Sequence, residues 1–528
     1  MKNNLLREPP TGVRFVNRRS LPVWRASCRL AVVAVAGLAA AVLIATGTTG
    51  CADMSGIAPQ ASLRDASSLG LATSPSAIAS VDVSVDISAS WWRDFGDEQL
   101  NQAIAQALQT SPTLRMAQAR LARAQAVTEV ADAATLPQLS GQIDTTRQRY
   151  TANSAVPPPL AGSVRNSATA QLSAGWELDF FGKNRAALDA ALGSAHAAEA
   201  DAQAARVLLA SQVARTYFQL LRLNEQALVA RRTLAQREET LQLVQDRVNA
   251  GLDTRLELRQ SEGSLPEARL QLEAIQEQLA LTHHALAALT GQAADASALS
   301  PPNNRLQQAL PALSAVKQIA LATRIPADLL GRRADISAAR WRVEASSNDV
   351  VNAKTQFYPN VNLVAFTGFS SIGLNRLVES GSQQWGVGPA LRLPIFDAGR
   401  LRANLRGKTA DLDAAVESYN SAVVDAVRDV ADQLTSMQAI SRQQVEQRAA
   451  QQAAEDAHDI AVQRYKAGLG NYLNVLTAET SVLVQRRQAV DLSARTLDTQ
   501  VALIRALGGG YRSGTAETLQ ATVSLPKK

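Results

Sequence analysis

The chain has 528 residues, 46% of them hydrophobic but only 4% aromatic, and a formal charge of +6. That charge is an end effect: seven of the 53 Lys and Arg and one of the 47 Asp and Glu precede Cys51, leaving 46 of each sign. A neutral body excludes the electrostatic footprint that nucleic acid requires. With four His lacking ligand spacing, no Gly-rich phosphate loop and no nucleophile elbow, the composition also argues against a metal, a cofactor and an enzyme.

Residues 1–50 read as a secretory signal, with a basic stretch to Arg29, an apolar core from Leu30 to Ala45 and small residues up to Cys51. A Cys directly after a small-residue cleavage site resembles a bacterial lipoprotein signal, whose thiol is acylated and anchors the mature chain in lipid. Thr48 stands where an aliphatic residue is usual. Cys28 falls inside the signal, so the mature chain has no disulfide framework. Beyond residue 50 no apolar run reaches the ~18 residues of a membrane-spanning helix, which leaves a β-barrel as the only way to cross a bilayer.

The rest divides into a linker at 51–90, a first repeat at 91–291, an inter-repeat linker at 292–324, a second repeat at 325–507 and a tail at 508–528. The duplication is visible at three places. The segment Pro137 to Tyr150 recurs at Pro359 to Ile372, Trp176 to Arg185 at Leu391 to Arg400, and Arg247-Val-Asn-Ala-Gly-Leu252 at Arg464-Tyr-Lys-Ala-Gly-Leu469, with offsets of 222, 215 and 217 residues. Offsets this steady mean a duplicated half rather than a short solenoid period.

Each repeat opens with a helix, Gln99 to Thr135 in the first and Asp335 to Gln356 in the second. A strand pair follows, over 139–180 and 360–395. Ser167 to Phe180 alternates without a fault, with Ala168, Ala170, Leu172, Ala174, Trp176, Leu178 and Phe180 on one face and polar or small residues on the other. That pattern suits lipid outside and water inside, at a length able to cross hydrocarbon. Val364 and Phe366 blur the alternation of the third strand, and Pro389 and Pro394 weaken the fourth. Four strands per chain cannot close a barrel, so several chains are required.

After each strand pair comes a proline-free run, 183–250 and 400–467, rich in helix formers and about 100 Å long as a helix. Narrow apolar stripes such as Val423, Val427, Val430 and Leu434 predict helices packed side by side. Each rod turns back at Ala250-Gly251-Leu252 or Ala467-Gly468-Leu469, where Gly is the expected left-handed helix stop. Return helices follow over 253–290 and 471–507. Gly263 and Pro266 predict a kink in the first of these, and the adjacent His283 and His284, about 100° apart on a helix, read as surface side chains.

With these pieces, residues 91 to 510 resemble the outer-membrane factor family, the TolC-like exit ducts, and most closely the lipoprotein branch of tripartite RND-type efflux systems. The resemblance rests on Trp92-Arg-Asp-Phe-Gly-Asp97, Ile325-Pro-Ala-Asp-Leu-Leu330, Arg333-Ala-Asp-Ile336 and the paired Ala-Gly-Leu turns. It implies a mainly α fold with a membrane β-barrel. Three chains would pool twelve strands into one barrel, continued by an α-helical barrel across the periplasm. It also implies outer-membrane lipid, a periplasmic adaptor and an inner-membrane pump as partners, with lipidation at Cys51. The turn residues Ala250, Gly251, Leu252, Ala467, Gly468 and Leu469 match the adaptor docking points. The aperture positions fall on Glu257, Asn474 and Thr477, with Tyr465 matching an aromatic that holds such tips closed. A solvated Glu257 paired with Arg255 or Arg259 is the competing reading of that carboxylate. The implied function is an exit duct for drugs or other small toxic compounds. A channel for type I protein secretion, or an envelope scaffold or adaptor, are the alternatives.

Overall fold

The computed structural model describes residues 54–64, 87–153, 157–292, 310–319 and 332–512. Cys51 and the segment Ile325 to Leu330 lie outside them. The first described element is a 3-10 turn, Trp91–Phe95, followed by α1 (Glu98–Thr110) and α2 (Pro112–Ala133). The single helix expected from Gln99 to Thr135 is therefore two. Ser111 is extended at φ −60°, ψ 124°, and Pro112 begins the second helix at its first turn, where a missing N–H costs nothing.

Strands β1 (Gln138–Arg149), β2 (Val164–Leu178), β3 (Asn360–Ile372) and β4 (Gln383–Arg392) form one antiparallel sheet in the order β1-β2-β3-β4. The two halves thus meet at the β2–β3 pairing, where Ala174 lies opposite Ala365. The expected fourth strand to Ile395 ends instead at Arg392, before Pro394, while Pro389 is accommodated because β4 is an edge. Register puts Leu139, Ile143, Ala170, Leu172, Ala174, Leu363, Ala365, Val387 and Leu391 on one face. Many of them are open to solvent in the single chain: Ile143 is 83% exposed and Val387 67%. The other face is polar apart from Val364, Phe366, Ile372 and Ala390 and a few glycines, and there Gly386 leaves room for the Phe366 ring, which a Cβ would approach to 2.6 Å.

From the sheet run two rods of 67 residues each, α3 (Lys183–Asn249) and α6 (Arg400–Lys466), each about 100 Å long. Their return helices are α4 (Arg255–Leu289) and α7 (Tyr472–Ala506), and α5 (Ala334–Thr355) opens the second half. Near the sheet the helices lie in the row α2-α3-α5-α6, and toward the turns in the row α4-α3-α7-α6. The helix of α4 runs unbroken through Gly263 and Pro266. Among the described residues no helix is long and apolar enough to cross a membrane.

The main core lies at mid-length of α3. Val213, Tyr217, Phe218, Leu220 and Leu221 pack there against Trp91, Phe95 and Ile104 and against Leu497, Val501 and Ile504 of α7. Asp97 ties this girdle together, capping α1 through Gln99 N–H at 2.9 Å and Leu100 N–H at 3.2 Å and accepting the Tyr217 hydroxyl at 2.7 Å. Part of the inter-repeat linker joins it: Leu313 and Val316 are buried, and the Gln500 amide bonds both the N–H and the carbonyl of Ile319, at 3.3 and 3.2 Å.

Candidate functional site

The two turns at the far ends of the rods have one construction. In the first, Gly251 takes φ +75°, Leu252 N–H donates to the Arg247 carbonyl at 2.9 Å and Gly251 N–H to Val248 at 3.0 Å. In the second, Gly468 takes φ +74°, with Leu469 N–H to Arg464 at 2.8 Å and Gly468 N–H to Tyr465 at 3.0 Å. Both are Schellman stops, whose left-handed residue favours Gly. Ala250 and Ala467 are the last right-handed residues of each rod. The outcome is a pair of bare tips on which Leu252 is 66% exposed and Leu469 69%.

The return helices start three residues later, on Thr254 and Asn471. Thr254 accepts from Leu256 N–H at 3.1 Å while Glu257 accepts from Thr254 N–H at 3.0 Å and from its hydroxyl, a capping box. Asn471 accepts from Asn474 N–H at 3.2 Å. Glu257 and Asn474 therefore occupy the same third position of equivalent helix starts. The hydroxyl of Thr254 holds the Glu257 carboxyl below the usual carboxylate range, so the group is ionised at neutral pH. Neither expected arginine partner is used: Arg259 pairs instead with Glu262 at 2.7 Å. Thr477 is exposed, one turn further on, with its hydroxyl on the Leu473 carbonyl. His283 and His284 are half-buried rather than fully at the surface.

Behind the turns lies a cluster the sequence did not disclose. Arg247 grips Asp253 with two bonds, at 2.9 and 3.4 Å, and its guanidinium sits 4.6 Å from the centre of the Tyr465 ring. The Tyr465 hydroxyl donates to the same Asp253 carboxylate. Burial pushes Asp253 upward, but the bonds from Arg247 and Tyr465 outweigh it and hold the carboxyl below its ordinary range. Tyr465 is 1% exposed and packs with Val244, Tyr472 and Val475. The expected tip aromatic is thus joined to the opposite turn, through Arg247 and Asp253. No spacing rule finds those two, because Asp253 and Tyr465 are 212 residues apart.

Among the described residues no group of His, Cys, Asp or Glu is placed to hold a metal ion. What the fold offers is a sheet with one apolar and one polar face, feeding rods with bare tips, which is the protomer architecture of an outer-membrane duct. The chain belongs to the outer membrane efflux protein family, whose model matches residues 103–292 and 325–509. It is 33% identical over 437 residues to the multidrug resistance outer membrane protein MdtQ of Escherichia coli O157:H7, covering 80% of this chain and 88% of that protein. It is 36% identical over 400 residues to the fusaric acid resistance protein FusA of Burkholderia cepacia, covering 74% and 70%. Among solved structures, the outer membrane protein VceC of Vibrio cholerae matches with a TM-score of 0.74 at 38% identity, covering 81% of this chain and all of that one. The protein is an outer-membrane efflux channel, a passive exit duct rather than an enzyme.

Proposed function

We propose that three copies form one lipid-anchored duct that receives drugs or other small toxic compounds from an inner-membrane transporter, through a periplasmic adaptor docked on the Ala-Gly-Leu turns. The relatives' names supply the cargo class. The open edges of β1 and β4 support oligomerisation, since a four-stranded sheet with an apolar face cannot stand alone in lipid. Lipidation at Cys51 draws support from the segment 54–64, which is strapped along α6 from its sheet end. The Arg402 guanidinium, in the first turn of α6, reaches the Ser55 carbonyl at 3.2 Å. Asp413 accepts Gln60 N–H and Ala61 N–H, both at 2.9 Å, and Asn420 bonds Arg64 N–H and the Ser62 carbonyl. Cys51 is three residues before Met54, within about 11 Å along the chain, and so within reach of the membrane end of the rods.

The observation that carries docking is the pair of matching turns that leave Leu252 and Leu469 about two thirds exposed in the single chain. Glu257, Asn474 and Thr477 line the narrow end in this reading, and Tyr465 helps to hold it shut. Photo-crosslinking from position 469 in living cells tests the partner, and a periplasmic adaptor is expected in the product. The double variant Leu252→Glu with Leu469→Glu keeps both glycines and should abolish drug resistance while leaving the oligomer intact. Normal resistance in that variant would refute docking at the turns. For the aperture, Glu257→Gln should lower cation selectivity in bilayer recordings, and unchanged selectivity would remove Glu257 from the role.

A further inference from the structure

The apolar face of the sheet, which meets lipid in an outer-membrane barrel, is made by the odd-numbered residues of β1, β3 and β4 and the even-numbered residues of β2. The acids of the four strands, Asp144 and Glu177, both lie on the opposite face, as do Arg165 and Arg392. The lipid face therefore carries only two charges, Arg147 and Arg149, two residues apart on β1. Both side chains are exposed, and among the described residues neither guanidinium has a hydrogen-bond or ion-pair partner.

Their height follows from the strand. β1 leaves the helices at Gln138 and ends in its hairpin after Arg149, so the pair stands at the end of the sheet away from the rods, on the side of the outer leaflet. At about 3.4 Å per residue and a tilt of about 45°, Arg147 stands about 19 Å above Leu139 and Arg149 about 24 Å, near the top of an apolar band about 25 Å tall. A cation at mid-membrane is costly, but at this height the guanidinium reaches headgroup oxygens while its stem stays on apolar surface.

A third donor joins them. Asn166 of β2 lies directly opposite Arg147 on the same face, half-buried, with no side-chain bond among the described residues. Two planar forks and one amide, with no acid on the face, form a set of donors that matches phosphate oxygens, and at the margin of hydrocarbon the anion at hand is a lipid phosphate. The duplication shows that the strand pair does not require such a set. At the β1-to-β3 offset of 222 residues, Arg147 and Arg149 correspond to Phe369 and Ser371, which are uncharged. We propose that Arg147, Arg149 and Asn166 form a docking site for a phosphate group of an outer-leaflet lipid, one site per chain and three in the duct. That count rests on the three-copy reading.

Native mass spectrometry of the full-length protein in detergent tests the site, with bis-phosphorylated lipid A as the probe. The wild-type trimer should retain up to three lipid A molecules. Arg147→Gln with Arg149→Gln should bind them at least about tenfold more weakly, through the loss of two charge-assisted contacts. Arg165→Gln, which removes a cation from the inner face near the same end of the sheet, should change nothing. Stripping both phosphates from lipid A should weaken its binding to the wild-type protein as far as the double variant does, a readout that needs no folded variant. Equal binding by wild type and double variant, or binding indifferent to the phosphates, would leave two snorkelling side chains and overturn the proposal. Displacement of lipid A by excess inorganic phosphate would make this a site for free anions and overturn it as well. A spectrum of single chains alone would sink the three-copy reading instead, and the dependence of lipid A binding on the two arginines would still judge the site.

Discussion

Single side chains matter most where α3 is crossed by other segments. Tyr217 is fully buried, and burial together with the Asp97 carboxylate pushes its phenol above the usual range, so the hydroxyl stays a donor. Tyr217→Phe removes the buried bond to the Asp97 cap and should cost about 2 kcal/mol, read as a lower midpoint of thermal unfolding. Asp97→Ala should cost more, because it also strips α1 of its cap. Equal losses from the two would mean that the hydroxyl contact carries the whole effect. At the tip, the capping box of Thr254 and Glu257 was passed over although Thr-x-x-Glu before a helix is its local signature. The Arg247–Asp253–Tyr465 cluster has no such signature, since its members come together only when both rods turn back side by side.

Two glycines show how elements decide the fate of similar residues. Gly193 in α3 faces α5 so closely that a Cβ would lie 3.1 Å from that of Ala345, whereas Gly407, near the equivalent place in α6, has nothing within 4 Å in its chain. Gly193→Leu should cost about 1–3 kcal/mol by forcing α3 and α5 apart. Gly407→Ala should instead raise stability by about 0.5–1 kcal/mol, since it removes backbone freedom from the unfolded chain without a clash. Thermal unfolding of the two variants gives the comparison, and a loss at Gly407 would mean that a neighbouring copy presses there. The strand alternation, the proline-free rods and the glycine stops were all readable in advance, because each follows from a local period or a single backbone preference. The break at Ser111–Pro112 was passed over although Pro at a first turn is a known start signal.

For the molecule as a whole, the sheet is unfinished. Leu139, Ile143, Trp385 and Leu391 are all more than two thirds exposed in the single chain, and β1 and β4 have unpaired edges. If three chains close one barrel, amide exchange in β1 and β4 should be as slow as in β2 and β3 in the detergent-solubilised protein. Fast exchange confined to the two outer strands would mean that the edges never pair.

The amino-acid order by itself determined the duplication, the strand faces, the rods and their turning points, and with them the family, because periodicity and capping act over a few residues and leave a local record. Only the tertiary structure decided that the two sheet halves join through β2 and β3, that segment 54–64 is strapped to α6, and that Arg247 and Asp253 of one hairpin meet Tyr465 of the other. Those contacts join residues hundreds of positions apart. They depend on how rods about 100 Å long lie against one another, and no local signal specifies the register of such a seam until a buried charge must find its partner.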